Sequence, residues 1–188
     1  MEVGAAGHDD PDLSLLQGVA DGRQQASRDL VDRHLRGLHA FAARLLGDAA
    51  EAEDVCQDTF VKLWQQAPRW VPGPAKISTW LYQVALNACR DRQRRQSPVD
   101  ADFDAMPSHE PGPERQQEGH ARQQRLQALL AELPPRQREA LLLFHYEGHS
   151  QAETAAILEL SVDALESLLA RARRSLRQRL ENEPEDLR

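Results

Sequence analysis

The chain has 188 residues, 40% of them hydrophobic, and a formal net charge of −7, which is enough for one ordinary domain or two small ones with real cores. No apolar run approaches the roughly 20 residues that span a bilayer, and the acidic N-terminus lacks a signal-peptide core. Cys56 and Cys89 fit neither a redox pair nor a zinc knuckle, so the expectation is a cytoplasmic protein without direct membrane binding, cofactor or metal, its cysteines serving as small buried hydrophobes.

In chain order, residues 1–11 are expected to be disordered and a first domain to occupy 12–96. Leu30, His34, Leu38, Ala42 and Leu45 form a helical stripe within Ala26 to Leu46, ended by Gly47-Asp48. A second helix is predicted from about Ala50 to Gln66. A Pro/Gly loop, Pro68 to Lys76, separates it from a third helix that Ser78 would cap and that runs to about Arg95. The segment 97–120 contains Pro98, Pro107, Pro111, Gly112 and Pro113, its acids outnumber the single Arg115, and it lacks helical periodicity; it reads as a flexible acidic linker. A second domain is expected over 121–182 and a short acidic tail over 183–188. No strand-like alternation and no internal repeat appears, so the fold class is all-α with two small helical domains.

Leu133 to Leu180 reads as a helix-turn-helix. Pro134 and Pro135 open a helix from Arg136 that carries Ala140, Leu141, Leu143 and Phe144 and stops at Glu147-Gly148. Ser150 with Glu153 three residues on is a capping box, so a short helix begins at Gln151 and packs closely through Ala155, Ala156 and Leu158. Ser161 starts the last helix, with Asp163 near its positive end. There Leu165, Leu169, Ala172, Leu176 and Leu180 form the core stripe. The opposite face offers Asp163, Ser167, Ala170, Arg171 and Arg174, flanked by Glu166, Arg173 and Arg177. A basic face alone is usually only solvated; the capping box and tight helix spacing make it a DNA reader. His145 and His149 are one helical step apart, but Gly148 interrupts them and no cysteine is near, so no metal is predicted.

Two stretches of the first domain look specialised. Ala52 to Trp64 places Asp54, Gln57, Asp58 and Phe60 on one predicted exposed face with aromatic edges, suited to a protein partner; the plainer alternative is a solvated helix side with Val55, Leu63 and Trp64 in the core. Ile77 to Arg95 joins aromatics to a basic end, the combination that holds unpaired bases and phosphates. By spacing from Val84 and Asn87 alone, Trp80 belongs to the core.

Taken together and in order, Ala-Glu-Asp-Val-x-Gln-Asp-Thr-Phe, Ser-Thr-Trp-Leu-Tyr-x-Val-Ala-x-Asn and the Leu-Pro-x-x-x-Arg plus Glu-Gly-x-Ser entry resemble the extracytoplasmic-function (ECF) sigma factors of the sigma-70 family over roughly Asp12 to Leu180. The resemblance implies a non-enzymatic role: binding core RNA polymerase, directing it to promoters and promoting DNA opening. It places Asp54, Gln57, Asp58, Phe60 and Trp64 against the clamp of the largest subunit, with the flap of the second-largest subunit as a further contact. It places Gly73, Lys76, Trp80, Asn87, Arg90 and Arg94 at the −10 element, with a flipped base held near Gly73. It places Gln151, Asp163, Glu166, Ser167, Ala170, Arg171 and Arg174 at the −35 element. An anti-sigma factor, often membrane-anchored in the family, is a further implied partner. The chain departs from the family at Glu166, where basic residues are common, at Leu168, where arginine is usual, and at Val71-Pro72-Gly73, which lacks an aromatic and a charge. The alternatives are a one-component helix-turn-helix regulator, which would need a ligand or dimerisation domain, and a helical interaction module that binds no DNA.

Overall fold

The computed structural model describes residues 10–73, 75–96, 125 and 127–181. All regular structure among them is helical. The expected linker and tail lie outside the described residues.

The N-terminal bundle comprises α1 (Leu13–Ala20), α2 (Gln24–Leu46), α3 (Ala49–Gln66) and α4 (Ile77–Gln96), with a 3-10 turn at Ala67–Arg69. The predicted stripe of α2 forms its centre, since Leu30, Leu38, Ala42 and Leu45 are buried together with Phe41. His34 belongs to the stripe differently: its Nε2 lies 2.6 Å from the buried Asp12 carboxylate, which Arg33 also contacts. Burial alone would raise the Asp12 carboxyl, but the His34 and Arg33 contacts prevail and its pKa is lowered. The helix α1, which has no obvious sequence signal, packs on α2 where Gly18 meets Ala26; a Cβ at 18 would lie 2.6 Å from that of Ala26.

Local chemistry sets the boundaries. Gly47 ends α2 in the left-handed conformation at φ 77°, and Asp48 caps α3 by accepting from the Ala50 and Glu51 N–H groups. The prediction for α4 needs correction. Ser78 lies inside the helix, and the Ile77 N–H instead donates to Asp10 Oδ2 at 2.6 Å. The N-terminal segment thus contributes a cap 67 residues away in sequence, a pairing that no local signal encodes. Cys56 and Cys89 are buried, and burial pushes their thiols up to about 11 and about 12.

The C-terminal unit contains a short helical segment α5 (127–131), α6 (Pro135–Leu141), α7 (Gln151–Leu158) and α8 (Val162–Glu181). The helix from Pro135 does not continue regularly to Glu147: Leu142–Tyr146 widens into a π-turn, closed by Glu147 N–H to Leu142 O at 3.3 Å. The capping box forms as predicted, with Ser150 and Glu153 bonded reciprocally. Glu159 closes α7 at φ 57°, and Ser161 Oγ accepts from the Ala164 N–H to start α8.

Three details of this core differ from the pattern. Leu180 is exposed. Leu168 is buried beside Leu165 and Leu169, widening the apolar stripe. In α7, Ala156 faces solvent and Ile157 takes the core position.

The two units pack together, α7 on α4 and the π-turn on α2. One hydrophobic cluster runs through both.

Candidate nucleic-acid interface

The last helix presents a clean division. Leu165, Leu168, Leu169 and Ala172 are buried, whereas Asp163, Glu166, Ser167, Ala170, Arg171 and Arg174 are exposed, as is Gln151 on α7. A 20-residue helix locked on one side and open on the other can enter a groove without repacking. Arg173 turns toward His145, with 3.3 Å between Nη2 and Nε2, so it does not neutralise Glu166.

On α4 the polar residues are placed less freely. Asn87 is exposed and lines a cleft of about 620 Å³ between α4 and α6, bounded also by Arg94, Pro135 and Arg136. Arg90 makes two hydrogen bonds to the buried Glu139 carboxylate, at 2.9 and 2.6 Å. Lys76 Nζ donates to Glu153 at 2.8 Å, and Gln83 donates to Glu159 at 2.8 Å. Arg94 is exposed and pairs with Asp91.

The loop before α4 forms a separate hollow of about 310 Å³, lined by Arg69, Trp70, Gly73, Thr79, Trp80 and Gln83. Trp80 is partly buried and meets Trp70 edge-on with centroids 5.9 Å apart. It is therefore neither simple core nor a free stacking platform. Trp70 and Gln83 are wall residues that the spacing of α4 did not single out, because the loop folds back only in three dimensions.

The α3 face is mixed. Asp54, Gln57 and Asp58 are exposed, but Phe60 is buried and packs against the half-buried Trp64 at 5.6 Å, so the expected exposure of Phe60 is corrected. The helical angle from Asp58 to Phe60, about 200°, turns Phe60 toward the core. Arg92 joins this face from α4, donating to Glu51 at 2.8 Å and Asp58 at 3.2 Å. Burial alone would lower the Arg92 pKa, but the Asp58 and Glu51 contacts together raise it.

Between the units lies a buried polar group. Glu147 accepts from Tyr82 Oη at 2.9 Å and from Arg44 Nη1 at 3.1 Å, and its side chain is 6% exposed. Burial pushes its carboxyl up, partly offset by those two donors. Burial likewise holds the His149 imidazole below its ordinary pKa, and that ring stands edge-on to Tyr82 at 4.4 Å.

Residues 30–99 match the family described as Sigma-70 region 2, and residues 123–176 match Sigma-70, region 4. The chain belongs to the sigma-70 family. The RNA polymerase sigma factor CnrH of Cupriavidus metallidurans is 36% identical over 89% of this chain and 93% of its own length. The ECF RNA polymerase sigma factor SigL of Mycobacterium tuberculosis is 32% identical over 88% of this chain and 94% of its own. The solved structure of CnrH in complex with the cytosolic domain of CnrY superposes with a TM-score of 0.73 at 32% identity, covering 93% of this chain and 100% of that one. The Bartonella quintana sigma factor RpoE, solved with the anti-sigma factor NepR, gives 0.64 at 25% identity, covering 84% and 98%. This chain is an ECF-type sigma factor, an initiation factor of transcription. Its N-terminal bundle is sigma domain two and its C-terminal unit sigma domain four. Among the described residues, no helix is long and apolar enough to cross a membrane.

Proposed function

We propose that this sigma factor works in the cytoplasm and docks on the clamp of core polymerase through Asp54, Gln57, Asp58 and Trp64, with Phe60 supporting that face from beneath. Domain four contacts the flap of the second-largest subunit. Asn87, Arg90, Arg94 and Lys76 engage the −10 element, and the hollow between Trp70, Gly73 and Trp80 receives an unstacked base. Unstacking costs a few kcal/mol, which such a pocket offsets. On domain four, Glu166, Ser167, Ala170 and Arg171 face −35 base edges, Asp163 stands at the entering end of α8, and Gln151 and Arg174 approach the DNA backbone.

The observation that carries this reading is the division of α8 into a buried apolar side and an exposed polar side, on a helix entered through a formed capping box. The chemistry is placement: binding energy gained at the two elements is spent on separating strands between them. An anti-sigma factor, such as the NepR bound to RpoE, is the natural regulator, because RpoE superposes on this chain with that partner bound and CnrH does so with the cytosolic domain of CnrY bound.

Run-off transcription with purified core polymerase and a promoter library tests the proposal. Wild-type chain should select a two-part promoter. The double variant Gln57→Ala, Asp58→Lys should lose core binding in fluorescence titration while its circular dichroism spectrum is unchanged, since a reversed charge at an interface costs several kcal/mol. Retained binding would remove the clamp assignment.

A further inference from the structure

We propose that the free chain holds itself closed, with Glu147 as the clasp between the domains and Gly37 as the residue that makes room for it. This rests on the sigma-factor reading and adds what covers the −10 face. Gly37 lies inside α2 with no positive φ to explain a glycine. Such a glycine weakens the helix relative to alanine, so another gain must accompany it. A Cβ at 37 would lie 2.6 Å from Tyr82 Oη and 3.1 Å from Glu147 Oε2. Those are the two atoms whose hydrogen bond joins α4 to domain four.

Tyr82 has little freedom to swing aside. Its ring is 6% exposed, edge-on to Phe41 at 5.5 Å and to His149 at 4.4 Å. A methyl at 37 therefore displaces either the hydroxyl or the carboxylate, and both movements break the bond. Glu147 is too buried to remain ionised without its donors, so loss of one favours its return to water by separation of the domains.

Closure has a definite consequence for DNA. Glu139 and Glu153 of domain four occupy the cationic ends of Arg90 and Lys76. Carboxylates thus stand where promoter phosphates would, and the two sets of partners exclude one another. The same closure puts one wall of α6 against the cleft that Asn87 lines.

The test uses the full chain alone, without polymerase or DNA, so its result is independent of whether the transcription assay succeeds. Spin labels are attached at Arg28→Cys on α2 and Gln178→Cys on α8, both exposed, while native Cys56 and Cys89 are buried. Electron–electron resonance should give one narrow interdomain distance for the parent. Gly37→Ala should give a broad, longer distribution at unchanged helix content. In a Tyr82→Phe background, which lacks the obstructed hydroxyl, Gly37→Ala should add little further opening. A broad parent distribution, or a narrow one in Gly37→Ala, overturns the proposal. If Gly37→Ala does not fold, Glu147→Ala takes its place: broadening supports the clasp and an unchanged distance refutes it. The opened variant should also bind single-stranded −10 oligonucleotide several-fold more tightly than the parent; equal affinity would overturn the masking.

Discussion

The two proposed DNA-reading helices have the same length and opposite circumstances. Helix α8 shows its polar face to solvent, whereas α4 has Gln83 and Arg90, and the loop residue Lys76 just before it, engaged by carboxylates of the other domain. The difference lies in what each helix packs against. The apolar side of α8 is satisfied within its own small domain by α6 and α7, leaving the other side free. Helix α4 is filled from below by α2 and α3 and then covered by α7. A basic or polar helix face is therefore not equivalent to an available one: availability is a property of the domain arrangement.

The largest effect that sharpens this contrast is expected at Glu139, whose side chain is 2% exposed and bonded twice to Arg90. Glu139→Gln removes the charge with little change in shape and releases Arg90. Losing one partner of a buried pair costs about 3 kcal/mol, here drawn from the closed arrangement, since the domains can part without unfolding. Affinity for a −10 single-stranded oligonucleotide, measured by fluorescence anisotropy, should rise while −35 duplex affinity stays level. A parallel rise in both would erase the distinction between the helices.

Next in size is Asn87→Ala. Removing a base contact worth about 1–3 kcal/mol should reduce open-complex formation, read by permanganate footprinting, far more than it reduces polymerase binding. On α8 the corresponding variants should behave differently from one another. Arg171→Ala should weaken −35 binding similarly for all sequences and lower the salt slope by about 1 if its contact is to phosphate. Glu166→Arg should raise general DNA affinity and move one −35 preference from cytosine toward guanine, because a carboxylate accepts from cytosine N4 and an arginine donates to guanine. Selection from randomised −35 duplexes checks it, and identical preferences would mean that Glu166 reads no base.

The smallest effect concerns pH. The Lys76 hydrogen bond, followed by the Ser150 backbone N–H, lowers the Glu153 carboxyl from 4.5 to about 2. A depressed carboxyl contributes stability that is present above its ordinary pKa and lost as pH falls toward the folded value. Only the Lys76 share of that shift belongs to closure, because the Ser150 contacts lie within domain four and survive opening, so the closed form should loosen as pH falls toward about 2, and Lys76→Gln should flatten that dependence in an interdomain energy-transfer measurement. Lys76 is 47% exposed, so the effect is below about 1 kcal/mol and fades with salt. Glu147 acts in the opposite sense, since its raised carboxyl takes up a proton more readily when closed. The difference between parent and Lys76→Gln isolates Glu153.

Much of the fold was legible because its signals are local. The stripe of α2, the glycine that ends it, the capping box of α7 and the apolar side of α8 all follow from spacings of three or four residues and from caps within three. The α1 helix and the π-turn lacked such signals and were not anticipated. The exposure expected of Phe60 was misjudged because its motif neighbours Asp54 and Asp58 point well away from it around α3, and a motif records a neighbourhood along the chain without recording which way each side chain turns.

The sequence by itself determined that this chain is all-helical, that it carries the motifs of an ECF sigma factor, and which face of α8 stays polar, since each depends on residues within a few turns of one another. Tertiary structure alone decided that Asp10 caps α4, that Arg92 completes the α3 face, and that Glu139, Glu147, Glu153 and Glu159 meet α4, Lys76 and Arg44. These pairs are separated by 34 to 103 positions. A charge acts through distance in space, and no periodicity along the chain specifies which distant partner the packed core will bring to it.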